Sequence, residues 1–434
     1  MKRPVIIGLL IVALALVCVG IGSVIFFANG FNINNPFDVM NIPSVLEESK
    51  TLEVDAEKPV TLKVEDDAGA VTVTGADVDT VQVQVVKTAF DSSQARADAE
   101  VKTIKYTVTQ NGNTITLKYA IPKSMNFRNQ VNTVDFIVTV PNQTSVNVDT
   151  NLGEVSVSNV EGNVVTQNDF GEITLDNIEG AVSASTNSGA VTATSIKASG
   201  ENIDLKSEFG AITLKKANGK DITLDTNSGS VKLDEVRASG KLTASTEFGD
   251  VSIDNGSADS LSVDTNSGGV SLTKLTVKKD IHVQDEFGGL ELSQACAASY
   301  DLNTNSGEIT IDGVKGKLAA NTEFGGIEIS NAESVTLDIR TNSGTINFDG
   351  SLGAGPHVVK SEFGAVELTL PADMKLNVDL RTEFGKIKSD LPISVVVTET
   401  TDSNADQIVG TINGGGDQLT VETNNGSVTI HAGK

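Results

Sequence analysis

The sequence predicts an all-β protein, a parallel β-solenoid (β-helix) of about 19-residue coils, with a mixed α/β cap before the coils and an N-terminal transmembrane helix. Three observations carry the solenoid. A glycine returns at Gly153, Gly171, Gly189, Gly210, Gly229, Gly249, Gly268, Gly288, Gly307, Gly325, Gly344, Gly364 and Gly385, in steps of 18 to 21 residues. Apolar residues alternate on both sides of it, as in Ile203 and Leu205 before Gly210 and Val231 and Leu233 after Gly229, which is the period of a strand. The dipeptide before the glycine alternates too: Glu-Phe or Asp-Phe precedes Gly171, Gly210, Gly249, Gly288 and Gly325, and Asn-Ser precedes the glycines between them.

The alignment assigns the positions of one coil. The inward parity switches across the glycine, which calls for a turn or bulge and a residue free to take positive φ. Seven residues after it many coils add one more apolar residue, such as Val160, Ile178, Val236 or Leu275, so a third face is expected. By parity, Phe170, Phe209, Phe248, Phe287, Phe324 and Phe363 should point inward, each ring spreading over the small Ser188, Ser228, Ser267, Ser306 or Ser343 of the next coil. Coils in such a stack lie about 4.8 Å apart, so Glu208, Glu247, Glu286, Glu323 and Glu362, spaced by asparagines, stand roughly 9.6 Å from one another and repel weakly. Threonines recur three residues before the glycine, as at Thr226, Thr246 and Thr341, and also point inward. Two coils make about one four-stranded propeller blade, but Phe384 and Gly385 follow Phe363 and Gly364 with no Asn-Ser coil between them, a break that a solenoid tolerates more easily.

In chain order, residues 1–28 read as a transmembrane signal anchor. Lys2 and Arg3 precede an uncharged stretch, residues 4–28, long enough to cross a bilayer, and the charge places the N-terminus in the cytoplasm and the bulk of the chain outside it. Residues 29–50 read as a linker. Residues 51–141 form an irregular capping region, with a short helix from Ser92 to Lys102 and a hairpin over residues 104–119 turning at Asn111-Gly112. An open stack has an unpaired edge at each end, which such a cap would cover. Residues 142–391 are the regular coils, and residues 392–434 a polar loop, Thr398 to Gln407, and a closing coil around Asn424-Asn425-Gly426.

Composition narrows the function. With 57 acidic against 32 basic side chains the net charge is −25, which argues against nucleic acid as a partner. Cys18 lies in the apolar run and Cys296 reads as a small buried residue, so no disulfide framework exists within the coils. His282, His357 and His431 show no ligand spacing, and neither a metal site, a cofactor site nor a catalytic residue is expected. The calcium-binding Gly-Gly-x-Gly-x-Asp nonapeptide is missing.

The anchor, the irregular opening, Val140-Pro141-Asn142, the repeated Asn-Ser-Gly and Glu-Phe-Gly coils and the Thr411-Ile412-Asn413-Gly414-Gly415-Gly416 ending together resemble the bacterial DUF4097 family over residues 50–434. Its members are labelled candidate adhesins and carry β-strand repeats. The anchor joined to a long acidic rod points to a surface-exposed, membrane-tethered adhesin or cell-envelope binding or structural module with an unknown surface ligand, protein or polysaccharide. The alternative is a carbohydrate-active β-helix enzyme.

Overall fold

The computed structural model describes residues 42–122, 131–401 and 405–433. The expected transmembrane segment, residues 4–28, lies outside the described residues. Among those, no helix is long and apolar enough to cross a membrane.

The coils stack as parallel layers. Val231 pairs with Val251 and Val251 with Val270, so equivalent valines form one file. Each regular coil supplies one strand before the glycine and one after it, as in Ile222–Ser228 and Val231–Ala238, and each strand pairs in parallel with its equivalents above and below. Ile203, Leu205, Ile212 and Leu214 are fully buried in one continuous core. Burying each such side chain contributes about 1.5–3 kcal/mol, and repetition supplies the rest. The expected third face is present: Val160, Ile178, Val236 and Leu275 are buried, and Ala217, Asn218 and Gly219 pair with Val236, Arg237 and Ala238. What turns the chain onto that face was not foreseen. The residue just before the buried one is left-handed in coil after coil, at Asn159 (φ 57°), Asn177 (51°), Ser195 (58°), Lys216 (52°), Glu235 (56°) and Lys274 (53°). Only some of these are the asparagines that favour that region, so the corner is set by packing on either side of it.

The glycine column has a steric cause as well as the expected torsional one, for Gly153, Gly171, Gly189, Gly229 and Gly268 take φ between 136° and 156°. A Cβ added to Gly171 would lie 1.9 Å from the carbonyl oxygen of Gly153, one at Gly229 2.3 Å from that of Gly210, and one at Gly249 2.2 Å from that of Gly229. Each glycine carbonyl points at the Cα of the glycine in the next layer, where no side chain fits. The same oxygen accepts a hydrogen bond from the residue three before that glycine: Asn168 Nδ2 donates to Gly153 (2.8 Å), Thr226 Oγ1 to Gly210 (2.9 Å), Thr246 Oγ1 to Gly229 (3.0 Å) and Thr341 Oγ1 to Gly325 (2.9 Å). The inward threonines therefore tie layer to layer through the backbone of the turn.

Both ends depart from chain order in the same way. Val60–Asp66 pairs with both Thr114–Tyr119 and Thr144–Leu152, so the second layer is built first and the chain then goes outward to make the first. At the far end His357–Phe363 pairs with Asp417–Asn425, which in turn pairs with Leu376–Thr382. The closing coil is thus inserted between two earlier ones. Asn425 stands beside Phe363, and a Cβ on Gly385 would lie 1.9 Å from the Gly426 carbonyl. The missing Asn coil between Gly364 and Gly385 is present in space, and the alternation is unbroken.

Antiparallel strands cover the ends. Ile42–Glu53 pairs with Thr80–Asp91, and that strand with Thr133–Pro141, while Tyr106–Asn111 covers Thr114–Tyr119 as the expected hairpin. The last residues assigned to the linker, from Ile42 on, are therefore a strand; its edge carries Glu47, Lys50 and Glu53, charges that discourage further pairing. The helix is shorter than expected, Gln94–Glu100 followed by a 3-10 turn, with Ser93 at its N-cap making no side-chain cap bond. The expected polar loop at Thr398 to Gln407 is largely a hairpin, Ile393–Thr401 paired with Ala405–Ile412, which itself covers Leu376–Thr382.

Two coils lack the tie: the Thr150 hydroxyl makes no hydrogen bond, and one coil carries an acid at the equivalent place. Asp285, fully buried, stands where its neighbours carry threonine. Its Oδ2 lies 2.7 Å from where a Gly288 Cβ would be, the place that Asn168 Nδ2 and Thr382 Oγ1 occupy beside their own glycines. A carboxylate has no proton to give the Gly268 carbonyl, and neither oxygen completes a hydrogen bond of good geometry. Burial pushes the carboxyl up to about 6, against the amides of Glu286 and Phe287 and the Thr304 hydroxyl, with Glu286 adding to the rise. Asp66, in the N-terminal cap, is pushed up to about 8, first by burial and then by Asp135 and Asp67, against the Ala68 amide.

Three predictions follow from this packing. Gly249→Ala, at a glycine without positive φ, should prevent folding or lower the melting temperature far more than Thr246→Val, whose lost hydrogen bond costs about 1 kcal/mol; equal melting curves would remove the steric account. Because both carboxyls have folded pKa values above their unfolded ones, the folded state binds the extra protons, and stability should rise as pH falls from about 8 to about 5. Asp285→Asn, able to donate as Asn168 does, should be more stable than the parent at pH 7 by of order 1–3 kcal/mol, with the gap closing towards pH 5. Denaturant midpoints across that range read both.

Candidate functional site

The exposed feature of the coils comes from how the turn is built. The last inward residue is the one three before the glycine, where it must reach the carbonyl below. Beyond it the backbones of stacked glycines fill the interior of the corner. No room remains for a ring, and the two residues just before the glycine both face out. Phe170, Phe209, Phe248, Phe287, Phe324, Phe363 and Phe384 are 53–63% exposed. The inward placement of these rings expected from parity is therefore wrong, because the parity breaks at the dipeptide and not at the glycine. The buried phenylalanines are Phe136 and Phe348 instead.

The result is a ladder of rings along one edge. Phe209 pairs with Ser188 on one side and Ser228 on the other, and Phe248 with Ser228 and Ser267. Rings thus recur every second layer, roughly 9.6 Å apart, with a serine gap between them. Beside it runs the column of exposed Glu208, Glu247, Glu286, Glu323 and Glu362 in the ring layers, with asparagine in the others. Asn187 Nδ2 donates to Asp169 Oδ1 (3.0 Å) across one such pair of layers. Exposed apolar side chains repeated along an edge exceed the scattered ones of an ordinary surface.

Toward the C-terminal end the same columns border a groove of about 670 Å³ that runs from Gln284 to Asn424. Its walls carry asparagine amides, Glu323 and Glu362, and two cations held by carboxylates: Arg340 Nη1 lies 2.7 Å from Asp338 Oδ1, and Lys360 Nζ 2.7 Å from Glu422 Oε2. Such a surface offers many hydrogen-bond donors and acceptors.

The remaining candidates fall elsewhere. Cys296 is exposed and not buried as expected: Gln294 takes a positive φ of 54°, which turns Ala295 inward and Cys296 out. His282 and His431 each meet a carboxylate at 3.0 Å, Asp301 and Asp390, and buried His357 accepts from the Leu337 amide, with its pKa lowered by burial. Among the described residues no three His, Cys, Asp or Glu side chains are placed to hold a metal ion. The sequence-predicted glycines do come together, as one column, each against the carbonyl of the one in the adjacent layer.

The family model described as Toastrack DUF4097 matches residues 61–257, 196–286 and 254–431. The chain belongs to the DUF4097 family. No curated protein matches it. Two solved structures are similar in part. One is a candidate cell adhesion protein from Clostridium sporogenes, at 9% identity and a TM-score of 0.20, with 90% of this chain and 100% of that one covered. The other is a candidate adhesin from Bacteroides fragilis, at 9% identity and a TM-score of 0.19, with 89% and 97% covered. Likeness at that level says nothing of what this DUF4097 chain binds.

Since the rings contribute little to the core, Phe248→Ala should change stability by less than about 0.5 kcal/mol. A drop of several kcal/mol in thermal or denaturant unfolding would put the ring back inside.

Proposed function

We propose that this DUF4097 protein is a membrane-anchored, extracytoplasmic adhesion module: a rigid rod that presents its phenylalanine edge to a surface partner. The observation that carries the reading is the ladder itself. The turn forces the residue before the glycine outward, a place where serine serves in alternate layers, and seven layers put phenylalanine there at a fixed interval, where the rings do little for stability and much for contact with another macromolecule. The uncharged residues 4–28 behind Lys2 and Arg3 supply the tether, with the rod outside the membrane. The acidic surface keeps the rod soluble and disfavours nucleic acid. The role is binding and not catalysis.

A second reading, a carbohydrate-active enzyme, draws on the groove, where Glu323 and Glu362 stand two layers apart, roughly 9.6 Å by layer spacing, near the upper end of the separation used by inverting glycosidases. Depolymerisation of an acidic polysaccharide by the protein, lost in Glu323→Gln, would favour it over adhesion.

Protease added to intact cells should remove the rod, and cells lacking the protein should lose attachment or aggregation. Full protection from protease, or unchanged adhesion and envelope integrity in the deletion strain, would count against the proposal.

A further inference from the structure

We propose that the surface partner is a second copy of this chain, bound antiparallel through the phenylalanine edge, so that two rods anchored in opposed cells zip together. The inference rests on the adhesion reading and names the partner that the edge fits.

The first argument is period. A partner that engages the whole ladder must repeat every two layers along a straight line, and another copy of this solenoid does so by construction. The second is shape. Leu152 ends the column, and from Phe170 to Phe384 rings and small or polar residues alternate without a break, because the inserted coil places Asn425 between Phe363 and Phe384. An alternating column with a ring at one end and none at the other is complementary to its own reverse: Phe248 of one copy meets Ser306 of the other, Phe209 meets Ser343, and Phe384 meets Leu152. Rings then fill the gaps between rings over the full length.

The third argument is charge, which would otherwise forbid the pairing of two rods of net charge −25. A two-fold axis crossing the stack at right angles keeps the glutamate and asparagine column of one copy opposite the same column of the other. In the register that fits the rings, Glu247 faces Asn305 and Glu208 faces Asn342, so within this column each carboxylate meets an amide that can donate to it and no carboxylate of the column meets another. A parallel pair loses this. Its axis lies along the stack and carries the column to the opposite side, and the one-layer slip it needs leaves open ends, the geometry of a filament.

Area is the fourth. Seven rings a little over half exposed present roughly 600–1,000 Å² per copy, at about 150–250 Å² for a whole aromatic side chain. Stable interfaces bury about 800 Å² per partner. The antiparallel arrangement also puts the two N-terminal anchors at opposite ends of the pair, as contact between two cells requires.

The test uses the full chain with Cys18 and Cys296 replaced by serine. Glu247→Cys with Asn305→Cys places two thiols three layers apart within one copy, too far for an internal bridge, yet opposite each other in the proposed pair. Oxidation of mixed cells should give a covalent dimer with this variant and at least tenfold less with Glu247→Cys and Asn342→Cys, which misses the register. Two differently labelled populations expressing the protein should clump together. The triple variant Phe209→Ser, Phe248→Ser and Phe287→Ser should abolish clumping at unchanged surface level and unchanged resistance of the rod to unfolding. Equal cross-linking in both cysteine pairs, or none in either, overturns the pairing. So does attachment of expressing cells to non-expressing ones without mutual clumping, which leaves adhesion standing with a different partner. Absence of any attachment overturns the adhesion reading as well.

Discussion

The contact between one glycine carbonyl and the Cα of the next glycine governs the rest of the molecule. It fixes how closely successive turns can lie at the corner, and a Cβ at about 2 Å from an oxygen cannot be absorbed by a small shift. It also leaves a carbonyl pointing along the stack with no amide opposite it. The threonine, serine or asparagine three residues earlier supplies the missing donor, and because that side chain must be inside, the next two must be outside. The steric rule at the glycine and the exposure of the rings are therefore one constraint seen from two sides of the backbone.

The ends obey a different demand. Layers in the middle find partners above and below, whereas the first and last do not, and the chain answers at both ends by building the outermost layer out of order and folding antiparallel strands over it. Threading the final strand back between two finished layers buries Leu419 and Val421 within the stack rather than at its end. The last residues of the regular fold are thus held on both sides.

Much of this was legible in the sequence. The glycine period gave the layers, the flanking alternation gave two faces, and the apolar residue seven beyond the glycine gave the third; the files of Val231, Val251 and Val270 stand as read. The cap helix and the hairpin at Asn111-Gly112 were visible from their turn chemistry. The candidate site was not, and the reason lies in Phe209. Strand parity counts residues and is blind to a break in the strand, and nothing in Glu-Phe-Gly says that the break comes before the phenylalanine and not after it. The clue was the threonine: a polar residue on the inward parity needs a partner, and the only one in reach is the carbonyl of the turn below. Asp285 was readable by the same logic, as the coil where the donor is replaced by an acid. The inserted closing coil did leave a mark, the Asn coil missing between Gly364 and Gly385 and supplied at Asn424-Asn425-Gly426. Read in chain order, it passes for a break in the rhythm and not for a change in pairing order.

That insertion bears on what the edge is for. Were the coils stacked in chain order at the C-terminal end, Phe363 and Phe384 would occupy adjacent layers about 4.8 Å apart, as would Glu362 and Glu383. Two rings and two carboxylates would then crowd on an exposed edge, where the repulsion of like charges at that distance is poorly screened by salt. Placing Asn424 and Asn425 between them relieves both contacts with no gain to the core from either ring. Electrostatics alone accounts for the carboxylates, and Lys or Ser in place of Glu383 would have served as well within a chain built in order. It does not account for retaining phenylalanine at position 384, 63% exposed, in a layer whose interior has no use for it. An exposed ring kept in step with six others, across an inserted coil, is the pattern expected if the edge is read as a whole, as the proposed pairing requires.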